Sequence, residues 1–330
     1  MTDRIDTIVV GGSAGSLSAL KTILGGLPGD LPATVLVCQH LSLVSETDAS
    51  VLLQPYSALP VRQAREQDPL RPGEVLLAPP DVHMMMGRDH VHLRRGAHEN
   101  NFRPAIDPLF RSAAVYRATR AVAVVLSGLL DDGAAGARAV ARTGGTVLVQ
   151  DPFEADYPDM PMAALDAVPE AQSRPLSEIA GVLTALVGEA AAPAPAIPWR
   201  IGLEMKIAGL EGAGMKNESK LGTLSPFNCP HCDGVLWEIE DGPMIRYRCH
   251  TGHGYTEQAL SRAQQQALDH QLFSTLRAHR GRAELLRRMA TRAGDAGREM
   301  MQKRADLVEE DAERLEAIIR QRDRSGPMPP

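Results

Sequence analysis

The sequence predicts an α/β fold, a doubly wound and mainly parallel sheet, followed by a small ribbon and a C-terminal helical hairpin. Three observations carry this expectation. From Thr7 to about Glu189, short β-branched runs alternate with amphipathic stretches, the pattern of βαβ units. Cys229, Cys232 and Cys249 cluster between Phe227 and Tyr255. From Thr256 to about Arg322 the chain turns to Ala, Leu, Arg, Glu and Gln without a proline, which is helix.

In chain order, strands are expected over Thr7–Val10, Thr34–Cys38, Glu74–Ala78, Ala121–Ser127 and Thr146–Gln150. Helices are expected over Leu17–Leu24, closed by Gly25 and Gly26, over Ala105–Tyr116, opened by Pro104, and over Ala134–Arg142, closed by Gly144. His90–Arg94 alternates and is read as an antiparallel partner of the strand before it. The Pro- and Ala-rich stretch Ala190–Trp199 is read as extended and marks a boundary, with a weakly periodic connector carrying one strand up to Thr223. In the last segment, Leu272, Leu276, Met301, Val308, Leu315 and Ile319 recur at helical spacing. Two helices folding back near Gly294 would bury them as one stripe. The organisation expected is 1–189, a connector over 190–226, a ribbon over 227–255 and a helical tail over 256–322.

The 330 residues are 44% hydrophobic and 23% charged, near the averages for folded soluble domains, so neither general disorder nor a lipid environment is indicated. A net charge of -6 offers no global attraction to nucleic acid or anionic membranes. The start, MTDRIDTIVVGG, has no basic region followed by a long apolar run, and the apolar run Ala121–Leu130 is too short to span a bilayer. No membrane insertion is therefore expected, and the cytoplasm is the expected compartment.

The run TIVVGGSAGSLSAL places Ser13 in a glycine-rich turn between a buried strand and a helix. A serine becomes a nucleophile when its hydroxyl projects freely, a base takes its proton and backbone N–H groups receive the oxyanion. By itself the turn fits a nucleotide loop or a plain tight turn equally well, although its spacing matches neither GxGxxG nor GxxxxGK[ST]. His40 ends the next strand in VLVCQH, and Asp131 and Asp132 end another in AVAVVLSGLLDDGAAG. In a parallel sheet all three positions fall on one rim. Any one of them alone is commonly a bystander or a helix cap.

GGSAGS, VCQH, LLAPPDVHM, RPAIDPLFRSAA, VVLSGLLDDGAAG and QDPFEADYPDMP occur in that order. From about Ile8 to Leu186 the chain resembles the catalytic domain of the chemotaxis protein-glutamate methylesterases of the CheB type. The resemblance implies a serine hydrolase with Ser13 as nucleophile, His40 as base and Asp132, not Asp131, as acid, with no cofactor for catalysis. It also implies a methylated chemoreceptor-like protein as substrate, with hydrolysis of glutamine side-chain amides as a second activity. Three departures touch the oxyanion neighbourhood: Ala14 replaces a threonine, Ser16 a glycine, and Leu129-Leu130 a Met-Gly pair. Of Arg103 and Arg111, around Asp107, Arg103 is either a substrate-positioning or loop-bracing cation near the cleft or, with the others, part of a helix-start ion-pair network, and Met160-Pro161 has a supporting place beside the site. Because the motifs begin so near the start, no preceding phosphoacceptor receiver domain is expected.

Cys229-x2-Cys232, sixteen residues, then Cys249-x3-His253 gives two knuckles and four ligands, the pattern of a closed structural zinc site. His231 and His250 neighbour the ligands and are alternatives to His253. VLWEIE and MIRYRC read as a hairpin around Asp241-Gly242. The ribbon and tail are expected to supply localisation, gating or homodimerisation through the C-terminal helices, including binding of a partner methyltransferase or receptor. Two other readings compete with the esterase. One is a weakly active or inactive scaffold of a chemosensory complex, motivated by Ala14 and Leu130. The other is a nucleic-acid-binding zinc protein, motivated by Arg246, Arg248 and the arginines of 280–292. Against the latter, acidic residues over 309–316 balance the basic helix, and the ribbon lacks regular aromatic interleaving.

Overall fold

The computed structural model describes residues 4–40, 48–210 and 220–324. The glycine-bearing part of the connector, 211–219, lies outside the described residues. The chain divides into two compact units, Met1–Ser261 and Arg262–Pro330.

The first unit is built on a seven-stranded sheet in the order β3-β4-β2-β1-β7-β8-β9. Its strands are β1 (Thr7–Gly12), β2 (Thr34–Gln39), β3 (Val61–Gln63), β4 (Glu74–Leu77), β7 (Ala121–Val125), β8 (Thr146–Gln150) and β9 (Gln172–Arg174). Every neighbouring pair runs parallel. Alternate strand residues face opposite layers, as the pleat requires. Val9, Leu36, Leu76, Ala123 and Val149 meet α3 (Ile106–Arg117), α4 (Ala134–Arg142) and α5 (Asp159–Ala167). Ile8, Val10, Val35, Val37, Val124 and Leu148 meet α1 (Ser16–Gly26), α2 (Ala49–Leu53) and α6 (Leu176–Leu186). Burial on both faces explains why the strands read as continuous apolar runs. Each fully buried Val, Leu or Ile contributes roughly 1.5–3 kcal/mol, so a charge at Val9 would disrupt the centre of the fold.

Two expectations need correction. His90–Arg94 contributes β6 (Val91–Arg94), but its partner is β5 (His83–Met86), not the strand Glu74–Ala78. The sequence HMMM contains no β-branched residue, so its strand character comes from burial rather than propensity. The connector also carries a helix, α7 (Trp199–Ala208), whose Ile201, Met205, Ile207 and Ala208 are buried.

A second, four-stranded antiparallel sheet completes this unit: β10 (Thr223–Asn228), β11 (Val235–Asp241), β12 (Met244–Cys249) and β13 (Gly254–Thr256). Its central hairpin turns at Asp241-Gly242, with Gly242 at φ 64°. Thr256 then caps α8 (Glu257–Ala290) by accepting the N–H of Ala259 at 3.1 Å.

In the second unit, α8 and α9 (Asp295–Arg324) fold back across 291–294. Leu276, Ala312 and Ile319 form their common apolar cluster, with Leu272 and Leu315 against it. The buried alanines Ala283, Ala290, Ala305 and Ala312 let the backbones approach. Arg280 pairs with Glu316 at 2.6 Å and Arg287 with Glu309 at 3.2 Å, so acidic residues of the second helix engage basic ones of the first. Among the described residues no helix is long and apolar enough to cross a membrane.

Candidate active site

In an open parallel sheet, side chains converge beyond the carboxyl ends of strands where the strand order reverses. Here β1 lies between β2 and β7 and is that point. Ser13 follows β1, His40 follows β2, and Asp132 lies in the turn after β7. The chain leaves β1 sharply because Gly15 adopts φ 76° before α1, a left-handed conformation that a side chain disfavours. Gly128 is bare for a different reason: a Cβ there would lie 2.1 Å from Met160 Sδ and 2.8 Å from Ser13 Cβ.

The three side chains form one hydrogen-bonded chain. His40 Nδ1 is 3.2 Å from Ser13 Oγ, and His40 Nε2 is 2.9 Å from Asp132 Oδ2. An ionised Asp132 only accepts, so Nε2 carries the imidazole proton and Nδ1 is left to accept from the serine hydroxyl. Phe102 stacks on the imidazole, with ring centroids 3.7 Å apart and planes 13° from parallel. Gln39 Nε2 donates to the Ser13 carbonyl at 2.8 Å, and Ser16 Oγ donates to it at 2.6 Å, fixing the turn.

Asp132 is fully buried yet well solvated by protein. Its Oδ2 also accepts from Ile106 N at 2.7 Å, and its Oδ1 accepts from Asn100 Nδ2 at 2.9 Å, Gly133 N at 3.0 Å and Asp107 N at 3.3 Å. Two of these donors open α3, so the helix N-terminus points at the carboxylate. Burial alone would raise its proton affinity, but the hydrogen bonds from His40, Ile106 and Asn100 and the charge of His40 outweigh it and hold Asp132 below the usual range. The neighbouring Asp107 goes the other way: burial, then the charge of Asp132, pushes it up to about 7. Asp131 turns away from the histidine and accepts from Thr256 Oγ1 at 2.7 Å.

A family model described as CheB methylesterase matches residues 8–183. The chain belongs to the CheB methylesterase family. It is 37% identical over 183 residues to a protein-glutamate methylesterase/protein-glutamine glutaminase 2 of Anaeromyxobacter dehalogenans, covering 56% of this chain and 54% of that one. To the protein-glutamate methylesterase/protein-glutamine glutaminase of Moorella thermoacetica it is 37% identical over 188 residues, covering 56% and 44%. It thus spans about half the length of the curated relatives it matches. The Thermotoga maritima CheB methylesterase catalytic domain, a crystal structure, superposes with a TM-score of 0.54 at 30% identity, covering 55% of this chain and 98% of that one.

The departures from the CheB motifs fall around Ser13. Ala14 opens onto the N-terminus of α1, and among the described residues its N–H and that of Leu129 have no protein acceptor. Both are backbone donors, so the side-chain changes leave them in place. Leu130, where the CheB motif has glycine, sits at φ 66°, a strained conformation for a leucine. Arg103 braces a loop, donating from Nε to Asp81 Oδ1 at 2.9 Å and from Nη1 to the Gly96 carbonyl at 2.8 Å. Arg111 is buried and pairs with Glu99. Arg246 and Arg248 are buried as well. Arg246 contacts Glu204 and Asp241, and Arg248 contacts Glu99 and Glu204. Those two guanidinium groups are therefore engaged within the protein. Met160 is buried against Gly128 beside Ser13. Sequence reading missed Gln39, Asn100, Phe102 and Thr256, all in contact with the chain of three or with its neighbours.

Outside the matched stretch, Cys229, Cys232, Cys249 and His253 bring their ligand atoms within 4.8 Å of one another. Cys232 Sγ lies 3.7 Å from Cys249 Sγ, and His253 Nδ1 lies 3.4 Å from Cys249 Sγ and 3.6 Å from Cys229 Sγ. A tetrahedron with Zn–S arms of about 2.3 Å and Zn–N arms of about 2.0 Å has edges of about 3.5–3.8 Å, so the spacing suits such an ion. His231 turns instead to Tyr255, with Nδ1 2.7 Å from the hydroxyl.

Proposed function

We propose that this chain is a serine esterase that removes methyl esters from glutamate side chains of chemoreceptor-like proteins, acting in the cytoplasm. The observation that carries the reading is the Ser13–His40–Asp132 hydrogen-bonded chain at the switch point of a CheB-family sheet. Ser13 Oγ attacks the ester carbonyl as His40 Nδ1 takes its proton. The tetrahedral oxyanion is received by backbone N–H groups, for which those of Ala14 and Leu129, without an acceptor among the described residues, are the candidates. His40 returns the proton to the departing methoxide, releasing methanol and leaving an acyl ester on Ser13. Water, deprotonated by His40, then attacks this ester and frees the glutamate carboxylate and the serine. Asp132 holds the imidazole tautomer and offsets the charge that forms on it, and the stacked Phe102 face adds to that.

The names of these relatives also include protein-glutamine glutaminase, and the same chemistry with ammonia as leaving group would serve glutamine amides. We assign Cys229, Cys232, Cys249 and His253 to a structural zinc ion. It has all its positions filled by protein, so it would stabilise the ribbon rather than react. The test is methanol release from a methyl-esterified receptor by the wild type and by Ser13→Ala. The variant should release none above background, and equal rates would favour the scaffold reading.

A further inference from the structure

The ribbon does not merely follow the α/β domain but reaches its catalytic acid. Strand β13 runs beside residues 98–100: Gly254 N donates to the His98 carbonyl at 3.2 Å, and Asn100 N donates to the Gly254 carbonyl at 2.8 Å. Thr256 N then donates to Asn100 Oδ1 at 3.1 Å. Held from that side, Asn100 Nδ2 gives one hydrogen to Asp132 Oδ1 and the other to Asp107 Oδ2, both at 2.9 Å. Two buried carboxyls thus share one amide, and the orientation of that amide is fixed by the ribbon. Asn100 and Asn101 both sit in left-handed conformations, at φ 50° and 72°. Asparagine tolerates this better than most residues, but a loop so folded needs outside partners to persist.

The same strand is tied to the four-ligand cluster. Cys249 and His253 close one knuckle, with Cys249 N donating to the His253 carbonyl at 3.0 Å, and β13 starts at the next residue, Gly254. Arg248 Nη1 donates to the Gly252 carbonyl at 2.8 Å, and its guanidinium meets Glu99, the residue before Asn100. At the end of β13, Thr256 Oγ1 donates to Asp131, next to Asp132. Movement of the knuckle is therefore movement of β13, and of Asn100, which leans on it.

We infer that the ribbon is a positioning element of the active site, in which Thr256 and Asn100 set Asp132 in register with His40, and zinc binding at Cys229, Cys232, Cys249 and His253 sustains that register. Zinc occupancy thereby gates the esterase, an inference that rests on the serine-hydrolase reading. Thr256 and Asn100 are positioning residues and touch no substrate.

The full chain, loaded with stoichiometric zinc, is compared with Thr256→Val, Thr256→Ser and Asn100→Ser, none of which alters a metal ligand. Methanol release and labelling of Ser13 by a fluorophosphonate report the site, and amide exchange over 98–102 reports the loop. The expected result is a kcat about 10- to 100-fold lower in Thr256→Val and Asn100→Ser, with KM and zinc content unchanged and activity regained in Thr256→Ser. Withdrawing zinc with a chelator should slow labelling of Ser13 and expose the Asn100 amide to exchange, and returning zinc should reverse both. Thr256→Val removes the Oγ1 bond to Asp131 but keeps the Thr256 N–H bond to Asn100, so wild-type kcat in both Thr256→Val and Asn100→Ser, or unchanged labelling and exchange in the zinc-free chain, would overturn the inference. If chelation unfolds the whole chain, the zinc-loaded comparison of both variants decides. Absence of any labelling at Ser13 in the zinc-loaded wild type would instead sink the esterase reading, and exchange over 98–102 would still judge the ribbon's hold on the loop.

Discussion

Replacing Asp132 by asparagine removes one charge while keeping the shape, and the consequences follow from its five donors. Oδ1 accepts from Asn100, Gly133 and Asp107, and Oδ2 from His40 and Ile106. An asparagine that keeps its oxygen toward the first three turns its NH2 toward His40 Nε2 and Ile106 N. His40 can then accept at Nε2 only by carrying its proton on Nδ1, the nitrogen that receives the Ser13 proton in the proposed mechanism. Wrong-tautomer variants of this kind lose about 10⁴-fold in kcat. Stability should fall much less. Two hydrogen bonds to a charged acceptor are lost, at about 1.5–3 kcal/mol each, but the like charge beside Asp107 goes too, leaving a net loss of about 2–4 kcal/mol. Methanol release and urea unfolding of Asp132→Asn measure the two effects separately. A kcat within tenfold of wild type would refute the tautomer argument.

Leu130→Gly tests the strained turn at φ 66°. A left-handed leucine costs roughly 1–2 kcal/mol, partly offset by the extra unfolded-state entropy of glycine, so urea unfolding should show a gain of up to about 1 kcal/mol. A loss of that size in Leu130→Gly but not in Leu130→Ala would contradict it. Asp131→Asn carries a pH signature. Burial pushes the Asp131 carboxyl up from 3.8 to about 6, with the Asp132 charge adding and the Thr256 hydrogen bond opposing. The folded chain therefore holds this proton more tightly than the unfolded one, so stability is full below about pH 4 and is lost as pH rises through 6, by about 3 kcal/mol in all. Asparagine does not ionise. The stability of the variant relative to wild type should therefore rise by up to that amount between pH 4 and pH 8, and a flat difference would show that Asp131 is not the group responsible.

The rim of the site was legible because Ser13 and His40 directly follow buried strands and Asp132 lies in the turn after a third, and parallel strands bring such positions together. The strands themselves were legible wherever both faces are covered. Three-residue edge strands such as Val61–Gln63 and Gln172–Arg174 are too short to show a period, and α7 hides its buried stripe beside prolines and Gly202. Asn100 and Thr256 could not be read as partners, since they lie 156 residues apart and meet only because β13 packs beside the asparagine loop. The asparagine pair itself was a signal, as left-handed turns select Asn. Arg246 and Arg248 looked like surface cations in composition. Only the tertiary fold, which delivers Glu99 and Glu204 to them, reveals that they are buried.

A covalent intermediate on Ser13 tests the proposed chemistry most directly. The chain is mixed with a methyl-esterified receptor peptide, quenched in acid within the first turnover, digested and weighed by mass spectrometry. Ser13 should carry the peptide as an ester, the combined mass short by one methanol, and the adduct should vanish as free glutamate appears. Turnover to glutamate and methanol with Ser13 unmodified at every time would contradict nucleophilic catalysis by this residue.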